Sequence, residues 1–344
     1  MFNLKNARLD RLAVHRVGSK TDPESLDLSK DEITPDEDIL NLLKKFFLKP
    51  FSEERFFSFK HSTDISLNEC YYYVKEVFTD PEKFYDNSCK IASLLHSESR
   101  HPNIKTGELY VSYFDDVNFG ENITEAIGIF KSESKDTYLK VYPKKSTYQV
   151  DAEMGVNINK LDKGCLIFNV EEEDGYRLMI IDKTNKGGEA QYWIDDFLQV
   201  KIHENNYYHT ESYLDLCMNF VEEVFPEADK IDKIGMKQNA SNYFKEKESF
   251  NVKEFEDEVM QQPEIIDAFN DYKSQYQETK QVKTYDEFDI NKSAVKKSSK
   301  FIKSVLKLDK NFHIYVHGDR SKIEKGYDEE KQLNYYTVYF EEEN

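Results

Sequence analysis

Apolar residues change their spacing twice along this chain. Between residues 29 and 99 they recur at helical intervals. The stretch SKDEITPDEDILNLLKKFFLKPF predicts a helix, with Thr34 before Pro35 as its N-cap and first-turn pair. SLNECYYYVKEVFTDPEKF predicts a second helix that stops before Pro81, because the residue ahead of a proline is pushed out of the helical region. KIASLLHSES predicts a short third.

From residue 107 the period becomes two. GELYVSYFDDV and ITEAIGIFKSES read as strands joined by NFGEN. GCLIFNVEEEDGYRLMIID reads as a hairpin around Glu173-Asp174-Gly175, and QYWIDDFLQVKI as a strand or a strand with a short helix. Neighbouring strands at hairpin spacing predict an antiparallel sheet. Helical spacing returns in residues 207–280, where Leu214, Cys217, Phe220, Val221 and Val224 mark one apolar face and Pro263 breaks the pattern. The chain closes on two alternating stretches, NFHIYVHGD and NYYTVYFEEE, which predict a C-terminal β-hairpin. The expected class is therefore α+β. An N-terminal antiparallel sheet with flanking helices occupies 1–205, and a helical segment with a lysine-rich helix and hairpin occupies 206–344.

Composition sharpens this picture at a few points. The 24 Phe and 23 Tyr in 344 residues provide enough aromatic surface for a real core, which excludes wholesale disorder. Four scattered cysteines form no CxxC pair, and no window approaches a spanning helix. A reduced, cytoplasmic chain without membrane contact is expected. The net charge is −19 but unevenly spread. Residues 201–291 carry −11 and residues 292–344 carry +2. Of the 47 basic residues only 7 are Arg, the side chain that reads bases bidentately. Any nucleic-acid contact should therefore rest on backbone attraction.

The clearest chemical feature is NKSAVKKSSKFIKSVLKLD, with six lysines and no acid between Asn291 and Leu308. On one helix at ~100° per residue, Lys292, Lys296, Lys300, Lys303 and Lys307 share a sector of ~80°. Ala294, Val295, Phe301, Ile302, Val305 and Leu306 face the other way. Such a row repels itself, and a polyanion relieves that repulsion. The plainer alternative is a solvated face, or one docked on the acidic middle segment. Lys297, Arg320, Lys322 and Lys325 form a secondary basic group.

Catalytic patterns are sparse. His313 and His317 lie ~13 Å apart if the run is a strand, too far for one metal. No GxGxxG, Walker A or GxSxG motif occurs. Gly187-Gly188 reads as a loop between strands. Asp115-Asp116 ahead of Glu133-Ser134-Lys135 resembles the D…ExK arrangement of metal-dependent nucleases, although Ser134 stands where an apolar residue is usual. No cofactor or resident metal is expected.

Three stretches together resemble one family. GELYVSYFDDVNFGENITEAIGIFKSE, MGVNINKLDKGCLIFNVEEEDGYRLMIIDK with QYWIDDFLQV, and LDKNFHIYVHGDRSKIEKGYDEEKQLNYYTVYFEEE are similar, in that order, to the bacterial 37-kDa nucleoid-associated proteins. The resemblance spans most of residues 1–344 and is firmest over 107–200 and 285–340. It implies a non-enzymatic, nucleoid-located protein that associates with DNA, directly or through a protein partner. It transfers no DNA-contacting residue, so the lysine stripe rests on the residues alone.

Overall fold

The structure is a computed structural model, and it describes residues 2–22, 25–183, 191–280, 282–299, 305–316 and 322–342. The chain divides into two compact units, Met1–His203 and Glu204–Asn344.

The first unit is built on a nine-stranded sheet whose neighbours all run antiparallel. It opens with β1 (Phe2–Asn3), β2 (Arg8–Val17) and β3 (Leu26–Asp27). Helix α1 (Glu37–Leu48) follows, then β4 (Phe57–Phe59), α2 (Glu69–Thr79) and α3 (Phe84–Glu98). The N-cap of α1 is Asp36, not Thr34, because its carboxylate accepts from the Ile39 backbone N at 2.9 Å and two acids fill the first turn. Helix α2 does stop before Pro81, capped at Asp80. Helix α3 starts six residues earlier than the stretch KIASLLHSES, because a single turn at Pro81–Lys83 leads directly into it.

Long strands β5 (Gly107–Phe119) and β6 (Asn122–Ser132) form the centre of the sheet. Beyond them, β7 (Lys135–Lys144) and β8 (Thr147–Val156) form a separate two-stranded ribbon. The sheet resumes with β9 (Lys163–Phe168), β10 (Arg177–Asp182) and β11 (Val200–Ile202). The order across it is β11-β4-β10-β9-β6-β5-β2-β3, with β1 also on β5. Gly175 in the β9–β10 connection has φ +89°, and a Cβ there would stand 2.5 Å from the Phe59 carbonyl oxygen, so only glycine fits. QYWIDDFLQVKI resolves into helical turns over residues 191–198 and then β11. Gly187-Gly188 lies outside the described residues.

Both faces of the sheet are covered. Ile127, Ile129, Cys165 and Ile167 pack with Tyr71, Val74, Ile91 and Leu95 of α2 and α3. Ala126, Phe130, Leu166 and Phe168, one residue out of phase, pack with Phe46 and Phe47 of α1. Period-two alternation thus sorts each central strand between two cores, and β9 is buried at every position.

The second unit holds α4 (Asn206–Glu223), α5 (Lys230–Glu246), β12 (Ser249–Asn251), α6 (Val252–Phe255), α7 (Pro263–Lys280), β13 (Glu287–Asp289) and α8 (Lys292–Ser299). Leu214, Cys217, Phe220 and Val221 are buried as the helical spacing requires. They meet Tyr243, Phe244, Phe250 and Phe269 in an aromatic core. Pro263 opens α7, where its fixed φ and missing N–H cost nothing.

The carboxyl end departs from expectation. Four strands make two hairpins, where the sequence pattern predicts one. Strand β14 (Val305–Leu308) pairs with β15 (Phe312–Tyr315), and β16 (Ile323–Asp328) pairs with β17 (Leu333–Val338). Leu306, Val316 and Ile231 are buried together, with Ile314, Ile323 and Tyr336 packed around them.

Candidate nucleic-acid interface

The basic segment begins at Asn291. Its side-chain oxygen accepts from the backbone N of Ser293 at 3.0 Å and of Ala294 at 3.1 Å, which caps α8. Ala294 and Val295 are buried, so α8 presents its lysines on the remaining faces. The continuous helix expected through Lys307 does not form. Val305–Leu308 is a strand, with Leu306 buried and Lys307 exposed in period-two alternation. Pairing with Phe312–Tyr315 and burial of Leu306 outweigh the helical spacing of the lysines, since an exposed charge such as Lys307 favours neither form. The ~80° sector shared by five lysines is therefore not assembled. Lys300, Lys303 and Arg320 lie outside the described residues, as does His317.

The described lysines differ in their surroundings. Lys292 donates to the Lys245 carbonyl at 3.1 Å and to that of Lys247, and lies 3.3 Å from Glu248. It neutralises the carbonyl end of α5. Lys297 is held by Glu211 at 3.1 Å, with the Tyr207 ring 6.0 Å away. Lys322 pairs with Glu341 at 2.7 Å, and Lys325 pairs with Asp229, which raises the Lys325 pKa. Lys296 and Lys307 are exposed, and neither has a carboxylate partner among the described residues. Lys307 stands opposite His313 in the hairpin, with Tyr315 on the same face. The turn between β14 and β15 adds Lys310, also exposed, which helical spacing does not single out. Its neighbour Asp309 takes φ +51°, the positive φ of a tight hairpin turn.

The nuclease-like constellation comes apart. Asp115 and Asp116 sit at a bulge near the β5–β6 turn, whereas Ser132 pairs with Glu108 at the opposite end of the same hairpin. Seven residues of strand separate the two ends by about 24 Å, so these carboxylates cannot share a metal. Asp115 is taken up by Arg8, which also reaches Asp10 at 2.6 Å. Glu133 is 2.9 Å from the Lys131 ammonium, in a pair with almost no exposed surface, and accepts from the Tyr192 hydroxyl at 3.3 Å. Burial lowers the Lys131 pKa, and Glu133 opposes that shift. The backbone N of Glu133 and of Ser134 donate to Asp162 at 2.7 and 2.9 Å. Beside them, Lys163 and Asp182 form a second buried pair at 2.8 Å. Lys135 extends outward to Glu108 at 2.6 Å. Glu133-Ser134-Lys135 is thus part of the framework of the first unit. Among the described residues no group of three or more His, Cys, Asp or Glu is placed to hold a metal, and no helix is long and apolar enough to cross a membrane.

The sequence pattern assigns no element to residues 135–156, yet the ribbon they form is the most exposed regular structure of the first unit. Its turn carries Lys144 and Lys145. The clue was available: Leu139, Val141 and Pro143 alternate with Tyr138, Lys140 and Tyr142.

The family described as nucleoid-associated protein YejK matches residues 13–333, most of the chain. No curated protein matches it.

Proposed function

Since the chain belongs to this nucleoid-associated family, we propose that it resides on the nucleoid and binds DNA directly, weakly and with little regard to sequence. The contact uses the lysines of its carboxyl end. The observation that carries this reading is the acid-free run from Asn291 to Leu308, whose Lys296 and Lys307 are exposed and unpaired among the described residues. Lys300 and Lys303 belong to the same run. Lys292, Lys297, Lys322, Lys325 and Arg320 complete the basic group. Surface ion pairs such as Lys322 with Glu341 are worth at most about 1 kcal/mol, so phosphate oxygens can replace their carboxylates. Lysine suits this role because it neutralises phosphate as a mobile point charge without selecting a base. The function is binding rather than catalysis.

A second reading has its own support. Lys292, Lys297, Lys322 and Lys325 are each engaged by a carboxylate of the same chain. This favours an acidic protein that reaches the nucleoid through a partner already on DNA.

A mobility-shift titration between 50 and 200 mM salt separates the two. Direct binding must weaken with a log–log slope of about −0.9 per phosphate contact. The combined change of Lys296, Lys300, Lys303 and Lys307 to Glu should abolish retention at low salt while the melting transition stays within a few degrees. Undiminished retention by that variant removes the lysine run as the site. Failure of the unaltered protein to shift DNA at 50 mM salt favours the partner-mediated route.

A further inference from the structure

The ribbon of β7 and β8 is amphipathic in a strict sense. Register pairs Tyr138 with Glu153, Lys140 with Asp151 and Tyr142 with Gln149 on one face. That face is knitted by polar contacts: Tyr138 to Glu153 at 2.7 Å, Tyr142 to Asp151 at 2.6 Å and Gln149 to Asp151 at 3.0 Å. The other face pairs Leu139 with Ala152, Val141 with Val150 and Pro143 with Tyr148. Apart from Lys135 at its root it carries no charge, and it lies open. Leu139 is 69% exposed, Val141 60%, Tyr148 72%, Val150 56% and Met154 64%.

A two-stranded ribbon is marginally stable in water by itself. Beyond Lys135 and Thr137 at the root, the polar side chains fall on the face that needs no cover and the apolar ones on the face that has none. We propose that this apolar face closes on the same face of a second copy of the chain, two ribbons stacking as a small sandwich about a two-fold axis. The area supports that occupant. With side chains of roughly 150–230 Å² each more than half open, one ribbon offers about 600 Å² of apolar surface. Two ribbons together bury about 1,200 Å², the lower bound for a specific, stable interface. A two-fold contact requires one patch complementary to itself, and a flat, uncharged ribbon meets that condition. Aligned sheets stack ~10 Å apart, which lets Leu139, Val141, Val150 and Met154 interdigitate. An anionic partner would need cations on this face, and an acidic or basic protein would need matching charges, but its centre has neither.

Sedimentation equilibrium of the full chain from 1 to 100 μM tests this. The unaltered protein should be dimeric at the upper end. Leu139→Glu combined with Val150→Glu should raise the dissociation constant at least 100-fold while leaving the melting temperature unchanged at concentrations where the unaltered protein is monomeric, since both side chains are exposed in the single chain. Thr147→Glu, on the polar face, should leave dimerisation unchanged. A monomer at every concentration overturns the proposal, as does a dimer that the double variant leaves intact. A monomer that pellets with phosphatidylcholine vesicles also overturns it, by putting lipid in place of the second copy.

Discussion

His15 is a residue whose environment sets a pH dependence. It is buried beneath the α3 helix, where its Nδ1 accepts from the Ser29 backbone N at 3.2 Å and its Nε2 faces the Ser88 hydroxyl at 3.1 Å. Only the neutral ring satisfies both contacts. Burial pushes the His15 pKa down to about 4, with the charge of Asp27 opposing the shift. Because the folded value lies below the unfolded one of about 6.5, the unfolded chain takes up the proton first as pH falls. Stability from this group is complete above pH 6.5 and declines from there to pH 4 by about 3 kcal/mol. Denaturant titrations across that range should show the decline, and His15→Gln should flatten it. Lys131 makes a second case at this scale. Its side chain has no exposed surface and is neutralised by Glu133. Glu133→Gln strands that ammonium, and urea unfolding should register a loss of about 3 kcal/mol. Lys131→Met combined with Glu133→Leu should recover most of it, because an apolar pair needs no counter-charge. In a nuclease the Glu133 change would instead remove cleavage and spare stability.

Elements are where sequence and structure part company most instructively. The lysine spacing from 292 to 307 fits a helix, but among the described residues of this run the helix is α8 and Lys307 lies on β14. The wheel weighed solvent-facing charges, which are indifferent to the element beneath them. Leu306 is what decides: it pairs with Ile314 across a local hairpin and is buried with Val316 and with the distant Ile231. The helix that does form depends on its first residue. Asn291→Ala removes the acceptor for two backbone N–H groups, and thermal unfolding should show a loss of about 1 kcal/mol. Elements anchored by local signals were legible: α2 ends before Pro81, and the β9–β10 connection turns at Gly175. The β7–β8 ribbon was missed although its alternation is regular. Alternation says which side chains share a face and leaves open whether anything covers them.

At the scale of the whole molecule, charge governs function. A chain of net charge −19 repels DNA at long range, so the direct binding proposed above requires a local contact confined to where the acids are absent. The steep salt dependence expected in the mobility shift follows from the proposed contact, in which phosphate neutralisation leaves no base readout to survive screening. A dimer joined through the ribbons would double the number of basic segments per particle. Two weak sites on one polyanion bind far more tightly than one, provided that both can reach it. The dimerisation and DNA experiments therefore read different surfaces, and each stands without the other.

Composition, period and local turn chemistry determined the α+β class, the antiparallel sheet, the helix ends at Asp80 and the uneven placement of charge. The hairpins β5–β6 and β9–β10 and the end of α2 depend on residues close together in the chain, although the sheet they enter also joins distant strands such as β2 with β5 and β4 with β10. Tertiary structure alone decided three things. Leu306 turned the end of the lysine run into a strand, the two ends of the β5–β6 hairpin held Asp115 and Glu133 apart, and residues 135–156 were left with an uncovered apolar face. The strand at Leu306 and the separation of Asp115 from Glu133 follow from which strands pair, and the open face of the ribbon from which segments pack on it. Pairing and burial are settled by the fold rather than by the spacing of the charged residues.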